Sequence, residues 1–463
     1  MSSGNRLLER SLKTLGVAFA PPLGQTPTGL GIDSRTIGPN EIFLAYRGEH
    51  FDGHDFVAQV GQRGVAGAVV RSDWDGPSHL PLARADDPNA LLGRWGAAQR
   101  RIWGGKVVGV TGSSGKTTVK DLLAAGLADG SGDTVLATRG NLNNLIGVPL
   151  TLLRLGEEHR LAVVEMGMNA RGEIAQLSRW AAPDVGAIVN VGAAHSGMLG
   201  GLDGVRRAKL EIASGIAPGG VLVLPEGLNG APLRPDLKVL RFGEGEGCDV
   251  QVVARRPSGT GQHLRLRAEG QTVEVDLPLP GPHQGGNVAA ALAVGLGLGL
   301  DLQRMARRFE AMTPPVGRMN RAGDFGAVTL WDDTYNANPD SVLAAWRAIE
   351  EQAALGGGEP VLVLGTLKEV DPADPAWGRL TGALVSGRGR LVVVGDEALA
   401  CRFQGMGSRC QSFATQEQAL VALADWWPEA GAVVLKGSRA ARMERLLGGV
   451  QERMNRIEMR GKA

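Results

Sequence analysis

The chain has 463 residues, of which 21% are charged, and its formal net charge is +1 at pH 7. A chain of this length is too large for one ordinary hydrophobic core, and the usual domain size predicts about three domains. The near-zero charge argues against a basic surface for nucleic acid and against an acidic, disordered chain, so we expect small-molecule partners and no nucleic acid.

Cysteine use and hydropathy bear on the compartment of the protein. The three cysteines show no CxxC spacing, which favours reduced thiols over a disulfide framework or a zinc site. Residues 1–16 lack the apolar core of a signal peptide, and the longest apolar run, 289–300, is interrupted by glycine and is too short to span a bilayer. We therefore expect a cytoplasmic protein without membrane insertion. We also expect it to be a monomer.

Near the N-terminus, a strand is predicted at 41–46 between two polar turns. Ser34 and Arg35 precede this strand, and Arg47 follows it. One interpretation is a pair of solvated loops with a capping side chain, which the residues alone favour. The alternative is a clamp for an anionic ligand, because guanidinium groups can fork onto phosphate oxygens.

The most informative segment is 107–121, which reads VVGVTGSSGKTTVKD. A β-branched run leads into a loop of glycine and serine, and an apolar pattern with helical spacing follows. This order is typical of a phosphate-binding loop, in which backbone N–H groups and the helix dipole hold phosphate oxygens. Lys116 would reach the β- and γ-phosphates and Thr117 could ligate Mg²⁺. We predict ATP or GTP binding, with an incidental glycine-rich turn as the alternative.

Polar side chains follow the phosphate loop at two further places. Asn141, Asn143 and Asn144 crowd a loop before an apolar helix, where capping accounts for one amide and a polar ligand would suit three. The strand predicted at 161–164 ends in Glu165. Because ligands bind at the carboxyl ends of strands in open α/β sheets, Glu165 is a candidate Mg²⁺ ligand opposite the phosphate loop.

His195 and Lys209 are weaker candidates. His195 comes after a strand predicted at 185–191, and Lys209 lies in a predicted helix. A lone histidine in a loop is often a structural hydrogen-bonding residue. A lysine on a helix is normally solvated. The residues alone leave these alternatives open.

Alternating charged and apolar residues between 249 and 279 predict antiparallel strands with one solvated face. Asn287 then precedes an alanine-rich helix predicted at 288–294, either as an N-cap or as an amide presented to a base.

Near the C-terminus, a cationic loop is predicted at a strand end and contains Lys436, Ser438 and Arg439. Such a loop suits a carboxylate or phosphate, or is simply a helix start with surface charges.

Strands and helices alternate again after residue 314, which predicts a second parallel sheet. The predicted fold class is therefore α/β with three domains. These are a small N-terminal α/β module (1–104), a central P-loop-type domain (105–313) and a C-terminal Rossmann-like domain (314–463). The central sheet is expected to be mostly parallel, flanked by helices, with an antiparallel addition.

A set of longer motifs occurs along the chain in the order TGSSGKTT, GNLNNLIGVP, VEMGMNARGEI, AAHSGMLGGLDGVRRAKLEI, GPHQGGN, GRM, DDTYNANPDS and KGSRAARME. In this order the motifs resemble the Mur ligases over nearly the whole chain, and DSR with GEHFDGHDF is similar to their N-terminal domain. YNANP and KGSR favour the member of the family that adds D-alanyl-D-alanine.

The resemblance implies a role for each candidate residue. ATP would be held by Gly112, Ser113, Ser114, Gly115, Lys116, Thr117 and Thr118, with Asn287, Arg318 and Asp333 closing on the nucleotide. Two Mg²⁺ ions would be held by Thr117 and Glu165, and by His195 and a carbamylated Lys209. The UDP-linked substrate would contact Ser34, Arg35, Asn141, Asn143 and Asn144. The incoming dipeptide would be framed by Tyr335, Asn336, Lys436, Ser438 and Arg439.

The activity that the resemblance implies is the ATP-dependent joining of D-alanyl-D-alanine to UDP-MurNAc-tripeptide through an acyl phosphate. This reaction belongs to peptidoglycan synthesis, and so to cell-wall biogenesis, cell shape and division. A sibling ligase with another amine substrate, including one that adds glutamate to folate, is an alternative, as is a nucleotide-binding regulator without catalysis. A nucleic-acid motor is disfavoured by the net charge.

Overall fold

The computed structural model describes residues 5–128, 134–192, 199–228, 234–368 and 373–461. Its α-helices span Arg6–Lys13 (α1), Val57–Gly61 (α2), Pro88–Trp103 (α3), Lys116–Leu127 (α4), Gly147–Leu152 (α5), Glu173–Ala181 (α6), Gly201–Leu210 (α7), His283–Gly297 (α8), Leu302–Glu310 (α9), Pro339–Gly356 (α10), Ala376–Ser386 (α11), Glu397–Cys401 (α12), Gln416–Trp426 (α13) and Met443–Gly461 (α14). Short 3-10 helices span Gly53–Phe56, Glu211–Gly215, Gln404–Arg409, Trp427–Glu429 and Arg439–Ala441. No helix within these ranges has the length and apolar character needed to cross a membrane.

The first of three sheets is small and mostly parallel. Its strands are β1 (Phe19–Ala20), β2 (Gly29–Gly31), β3 (Glu41–Leu44), β4 (Gly67–Arg71) and β5 (Leu82–Ala85), in the order β1-β5-β4-β3-β2. Helix α3 anchors this unit to the next one. Gln99 Nε2 on α3 donates to the carbonyl oxygens of Leu153 and Leu155, at 3.0 and 2.8 Å. This anchor is buried, so it joins the two units firmly.

The central sheet is the largest. Its strands are β6 (Lys106–Thr111), β7 (Val135–Ala137), β8 (Leu161–Glu165), β9 (Val185–Ile188), β10 (Val221–Pro225), β11 (Lys238–Gly243), β12 (Val250–Ser258), β13 (Gly261–Ala268) and β14 (Gln271–Leu277). They are ordered β14-β13-β12-β11-β10-β9-β6-β8-β7. The strands from β7 to β12 in this order are parallel. Strand β13 pairs antiparallel with both β12 and β14, as the alternating pattern predicts.

Two apolar layers cover the faces of the central sheet. On β6, Val107 belongs to one layer, whereas Val108 and Val110 belong to the other. This division follows from the alternation of side chains along a strand. A parallel sheet buried on both faces needs continuous apolar strands, which is why β6 and β8 carry so many valines. The loops at their carboxyl ends are therefore the parts free to bind ligands.

The third sheet is formed by the C-terminal part of the chain. Its strands are β15 (Asn320–Phe325), β16 (Val328–Asp333), β17 (Glu359–Gly365), β18 (Arg390–Val394), β19 (Cys410–Phe413) and β20 (Ala430–Lys436), ordered β15-β16-β20-β17-β18-β19. All pairs are parallel except β15 with β16. The predicted α/β class with a second parallel sheet is confirmed. The two edge strands, β15 and β19, are not predicted from the sequence, because their polar residues give no continuous apolar run.

The antiparallel arm of the central sheet touches the C-terminal unit. Arg255 on β12 forms a two-point ion pair with Glu351 on α10. Beside it, Gln352 Nε2 donates to the carbonyl oxygen of Ser258 at 3.0 Å. These contacts connect the two units through residues that lie about 40 to 60 positions away in the chain from residue 314, where the C-terminal unit is predicted to begin. The carboxyl ends of strands from both sheets line one cavity, which is described below.

Candidate active site

The phosphate loop lies between β6 and α4, as predicted. Gly115 has a φ of +74°, in the left-handed region that favours glycine. A Cβ at this position would lie 2.6 Å from Asn287 Oδ1, so a larger residue would also collide with α8. Helix α4 begins directly afterwards at Lys116. The first N–H groups of a helix have no partner within it, so the loop presents donors to an anion.

Lys116 is held over this loop. Its Nζ donates to the carbonyl oxygen of Gly112 at 2.8 Å. Burial lowers the pKa of Lys116 from its ordinary value; the carboxylate of Glu165 acts against this shift, and the positive charge of Arg318 adds to it. Lys116 is one of the basic groups, with Arg318, that a bound phosphate would meet in the cavity between the central and C-terminal sheets.

Glu165 lies at the carboxyl end of β8, beside the phosphate loop. It is 2% exposed, and its Oε2 accepts a hydrogen bond from Thr117 Oγ1 at 2.9 Å. Its Oε1 accepts from Asn143 Nδ2 at 2.7 Å. A hydroxyl and a carboxylate held together form an oxygen donor set that fits Mg²⁺.

The described residues hold no cluster of three or more histidine, cysteine, aspartate or glutamate side chains that could by itself bind a metal ion. Thr117 and Glu165 would therefore supply only part of a coordination shell, as is usual where Mg²⁺ keeps water and substrate oxygens. His195, which is also a predicted metal ligand, lies outside the described residues.

The three asparagines of the loop before α5 have different surroundings. Asn144 Oδ1 accepts from the backbone N–H groups of Ile146 and Gly147, at 3.1 and 2.8 Å, which is the predicted capping role. Asn143 orients Glu165 instead. Asn141 lines the cavity described below. Capping thus accounts for one amide of the three.

Lys209 is buried, which corrects the interpretation of it as a solvated helix lysine. It lies on α7 and is 2% exposed. Burial lowers its pKa well below the ordinary value, and the positive charge of Lys116 lowers it further. Lys209 stands four residues after Val205 and three before Ile212, so it lies on the apolar face of the helix, which turns inward. The site therefore contains a buried amine whose neutral form is favoured by its surroundings.

Asn287 is not an N-cap, because α8 begins earlier than predicted, at His283. It is 4% exposed, and its Nδ2 donates to Gln284 Oε1 at 2.7 Å, one turn back on the same helix. Burial lowers the pKa of His283 to about 4, assisted by the positive charges of Lys436 and Arg255. The first turn of α8 thus carries neutral polar groups toward the C-terminal unit.

The C-terminal unit contributes a buried ion pair. Lys436 Nζ, at the end of β20, lies 2.5 Å from Asp333 Oδ2, at the end of β16, and 2.9 Å from the carbonyl oxygen of Asn336. These two strands are neighbours, so their carboxyl ends meet. The pair fixes the segment that follows β16 against the cationic loop that follows β20.

Arg318 and Ser438 complete this side. The guanidinium carbon of Arg318 lies 4.3 Å from the centre of the Tyr335 ring. Ser438 Oγ donates to the carbonyl oxygen of Thr366 at 2.7 Å, so its hydroxyl supports the loop after β17. Stacking on Tyr335 holds the Arg318 charge close to the phosphate loop.

One cavity of about 610 Å³ joins these groups. The predicted site residues that line it are Gly112, Ser113, Ser114, Gly115, Lys116, Thr117, Thr118, Asn141, Asn143, Asn144, Glu165, Lys209, Asn287, Arg318, Asp333, Tyr335, Asn336, Lys436 and Arg439. Ser438 is adjacent to this lining but not part of it.

Ser34 and Arg35 do not line the cavity, within the described part of the chain. Arg35 is 85% exposed and forms an ion pair with Asp33 at 2.7 Å. Hydrogen bonds from Arg35 lower the pKa of Asp33 to about 2. The structure therefore places Arg35 on the surface of the N-terminal unit, whereas the neighbouring Ser34 is buried.

Asn190 and Glu173 also line the cavity, and the sequence analysis missed both. Asn190 follows β9 by two residues and bonds the phosphate loop. The predicted strand, 185–191, runs past Asn190, whereas β9 ends at Ile188; with that boundary the strand-end rule that indicates Glu165 also indicates Asn190. Glu173 starts α6 and accepts from the Asn169 N–H at 2.7 Å. Its position within the motif VEMGMNARGEI was the available signal.

Fold and site together define an α/β protein in which a glycine-rich loop at the start of a helix faces a second, mostly parallel sheet across one cavity. Three family models match the chain: "Mur ligase family, catalytic domain" at residues 26–85, "Mur ligase middle domain" at 110–295 and "Mur ligase, glutamate ligase domain" at 317–439. The chain belongs to the Mur ligase family.

Relatives and solved structures agree with this assignment. UDP-N-acetylmuramoyl-tripeptide–D-alanyl-D-alanine ligase of Escherichia coli (strain K12) is 34% identical over 91% of this chain and 93% of its own. A crystal structure of MurF from Acinetobacter baumannii is 33% identical, with a TM-score of 0.83 over 97% of this chain and 98% of the other. The structure of MurF ligase from Thermotoga maritima in complex with ADP is 25% identical in sequence and has a TM-score of 0.80. The match covers 92% of this chain and 98% of the other.

Proposed function

We propose that the chain is an ATP-dependent ligase that joins D-alanyl-D-alanine to UDP-MurNAc-tripeptide through an acyl phosphate. The observation that carries the proposal is the single cavity in which Lys116, Glu165 and Lys209 face Lys436 and Asp333 of the other sheet. The names of the relatives, which this chain covers over most of their length, support the choice of substrates.

Amide synthesis needs an activated acyl group, because a carboxylate would have to expel oxide. In the proposed reaction the terminal carboxylate of the tripeptide attacks the γ-phosphorus of ATP, and the bond from that phosphorus to the ADP oxygen breaks. Phosphoryl transfer depends on positioning and on stabilising charge. Lys116 and the N–H groups at the start of α4 supply the positive charge at the phosphate loop.

The amine of D-alanyl-D-alanine then attacks the acyl carbon. The tetrahedral intermediate expels inorganic phosphate, and the amine loses its proton as the amide forms. We assign the dipeptide to the C-terminal side of the cavity, framed by Tyr335, Asn336, Lys436, Ser438 and Arg439. Support comes from the cationic loop after β20, since a dipeptide presents a free carboxylate there.

We propose that Thr117 and Glu165 would hold one Mg²⁺ and that Lys209, with His195, would hold a second. The support for the first ion is the Thr117–Glu165 oxygen pair. For the second it is the buried amine of Lys209, since burial favours the neutral form, which can add carbon dioxide and lose a proton to give a carbamate with oxygen ligands. When bound, Mg²⁺ neutralises the charge that develops on the transferred phosphoryl group.

The remaining assignments concern recognition. We propose that the phosphate loop, residues 112–118, with Asn287, Arg318 and Asp333, holds ATP, which the shared cavity and the ADP complex of the Thermotoga maritima relative support. For the UDP-linked substrate we propose Ser34 and Arg35 together with Asn141, Asn143 and Asn144. The exposed guanidinium of Arg35 supports a phosphate contact at the N-terminal unit.

We propose three domains, 1–104, 105–313 and 314–463, with closure of the third over the second about a hinge near Pro314 and Pro315. The ion pair of Arg255 with Glu351 and the bond of Gln352 to Ser258 would stabilise the closed arrangement. Closure excludes water from the acyl phosphate, which would otherwise hydrolyse.

Reversing one charge of the closing pair, Arg255→Glu or Glu351→Arg, should lower kcat/KM by about tenfold and expand the scattering profile of the substrate-bound protein. The double reversal should recover most of both properties, because the pair is restored. Arg265→Glu is the matched control, since Arg265 pairs with Glu274 within the central sheet. Single reversals with unchanged scattering would contradict the closing role.

Thr117→Val keeps the shape of the side chain but removes its hydroxyl from Glu165. We expect kcat to fall by about a hundredfold and the Mg²⁺ concentration needed for half-maximal rate to rise. Thr117→Ser keeps the hydroxyl and should retain activity within a few-fold. Equal Mg²⁺ dependence in the valine and serine variants would contradict the assignment of Thr117 as a ligand.

Phosphate release with different amines tests the proposed function. In the presence of ATP, Mg²⁺ and UDP-MurNAc-tripeptide, D-alanyl-D-alanine should stimulate release, whereas meso-diaminopimelate, lysine and glutamate should not. Stimulation by one of the other amines would identify a sibling ligase. No stimulation by any amine, with intact ADP binding, would indicate the nucleotide-binding regulator.

A further inference from the structure

Asn190 lies beside the phosphate loop because of the order of strands in the central sheet. It stands two residues beyond β9, which pairs with β6. Thr111 at the end of β6 is in register with Ile188, and Val189 N donates to the Thr111 carbonyl oxygen at 2.8 Å. The chain segments that leave these two strands therefore run side by side.

The carboxamide of Asn190 is fully used by two residues of the loop. Its Oδ1 accepts from the N–H groups of Ser113 and Ser114, at 3.0 and 2.9 Å. Its Nδ2 donates to the Ser114 carbonyl oxygen at 3.1 Å and to Ser114 Oγ at 2.9 Å. A carboxamide has two acceptor positions and two donor hydrogens, so none is left over. The reverse orientation of the amide would set donors against donors.

A second contact braces the same loop. Ser113 Oγ donates to the Gly192 carbonyl oxygen at 3.0 Å and accepts from the Gly192 N–H at 2.9 Å. The two segments approach so closely that a Cβ on Gly112 would lie 3.0 Å from Val189 Cβ. The loop is thus held from outside by the segment 189–192, and Asn190 makes most of its side-chain bonds.

We infer that Asn190 is a positioning residue for the nucleotide, acting through the phosphate loop. Its carboxamide holds the loop in shape and occupies the N–H groups of Ser113 and Ser114. The phosphates are left to the N–H groups that open α4, which have no partner within the helix. A neutral amide suits this place, because a carboxylate would repel phosphate. The inference deepens the proposed function and rests on its assignment of ATP to this loop.

The test compares Asn190→Ala, Asn190→Asp and Ser114→Ala. ADP affinity is measured by calorimetry, and kcat and the KM of each substrate by phosphate release. We expect N190A to weaken ADP binding and raise the KM for ATP by about tenfold or more, since it removes four hydrogen bonds. The KM for UDP-MurNAc-tripeptide should stay within about twofold. N190D should be at least as impaired, and S114A, which loses one of the four bonds, should weaken ADP binding less than N190A does.

Gln451→Ala is the control, because it removes a carboxamide that lies away from the cavity. Gln451 Nε2 donates to the carbonyl oxygen of Ala322 on β15, so Q451A should leave ADP binding unchanged. A folded N190A with wild-type ADP affinity would overturn the inference. If N190A does not fold, the nearly isosteric N190D decides, and unchanged affinity there would overturn it equally. Wild-type protein that binds ADP without dipeptide-dependent turnover would instead end the proposed function.

Discussion

Replacing Lys209 with alanine should reduce dipeptide-dependent phosphate release by about a hundredfold or more, the scale seen when a group that stabilises transition-state charge is removed. The side chain is buried in the cavity wall, and burial keeps the pKa of its amine well below the ordinary value. A neutral amine is the form that adds carbon dioxide. Alanine removes the carbamate and with it the oxygen ligands proposed for the second Mg²⁺. Steady-state phosphate release measures the loss.

Short carboxylates should partly restore the alanine variant, because formate or acetate can occupy the space of the missing carbamate. Lys209→Arg should be inactive and resist rescue, since a guanidinium fills that space and stays charged. Lys238→Ala, at an exposed lysine of β11, should behave like the wild type. Unchanged turnover in K209A, or equal rescue by chloride at the same ionic strength, would contradict the carbamate role.

Replacing Lys436 with alanine should lower the free energy of unfolding by about 3–5 kcal/mol and abolish measurable activity. The reason is that removal of one partner leaves the carboxylate of Asp333 buried without its counter-ion. The carbonyl oxygen of Asn336 also loses its donor, so the segment after β16 loosens. Urea denaturation followed by circular dichroism measures the stability.

The double variant Asp333→Asn with Lys436→Met separates stability from activity. It removes both charges, so stability should recover by at least about 2 kcal/mol relative to K436A while activity stays lost. Arg321→Ala breaks an exposed pair with Asp324 on the same sheet and should cost about 1 kcal/mol or less. If K436A were as stable as R321A, the Lys436–Asp333 pair would not be a structural element of the site.

The phosphate loop and Glu165 could be predicted from sequence because their signals are local. A β-branched strand, a glycine-rich turn and a helix stand together in the chain, and the apolar run of β8 points to the residue at its end. The oxygen pair of Thr117 and Glu165 follows from strand order, because β6 and β8 are neighbours. The local sequence pattern, with the rule that ligands bind at the carboxyl ends of parallel strands, is therefore enough to predict the phosphate loop and Glu165.

Lys209, Asn190 and Asn287 were not interpreted correctly, each for a different reason. Lys209 stands four residues after Val205, on the apolar face of α7, but a lysine on a helix is normally solvated. Asn190 lies inside the strand predicted at 185–191, whereas β9 ends at Ile188, and its contact with the phosphate loop follows only from the pairing of β9 with β6. Asn287 looked like a cap because glycines obscured the earlier start of α8 at His283.

The most direct test of the central claim is the mass of the product made from ATP, Mg²⁺, UDP-MurNAc-tripeptide and D-alanyl-D-alanine. Tripeptides with diaminopimelate and with lysine at the third position are compared. We predict a product that equals the tripeptide plus the dipeptide minus one water, with one ADP and one phosphate formed for each. A product that carries a different amine, or ATP hydrolysis without any new amide, would contradict the account.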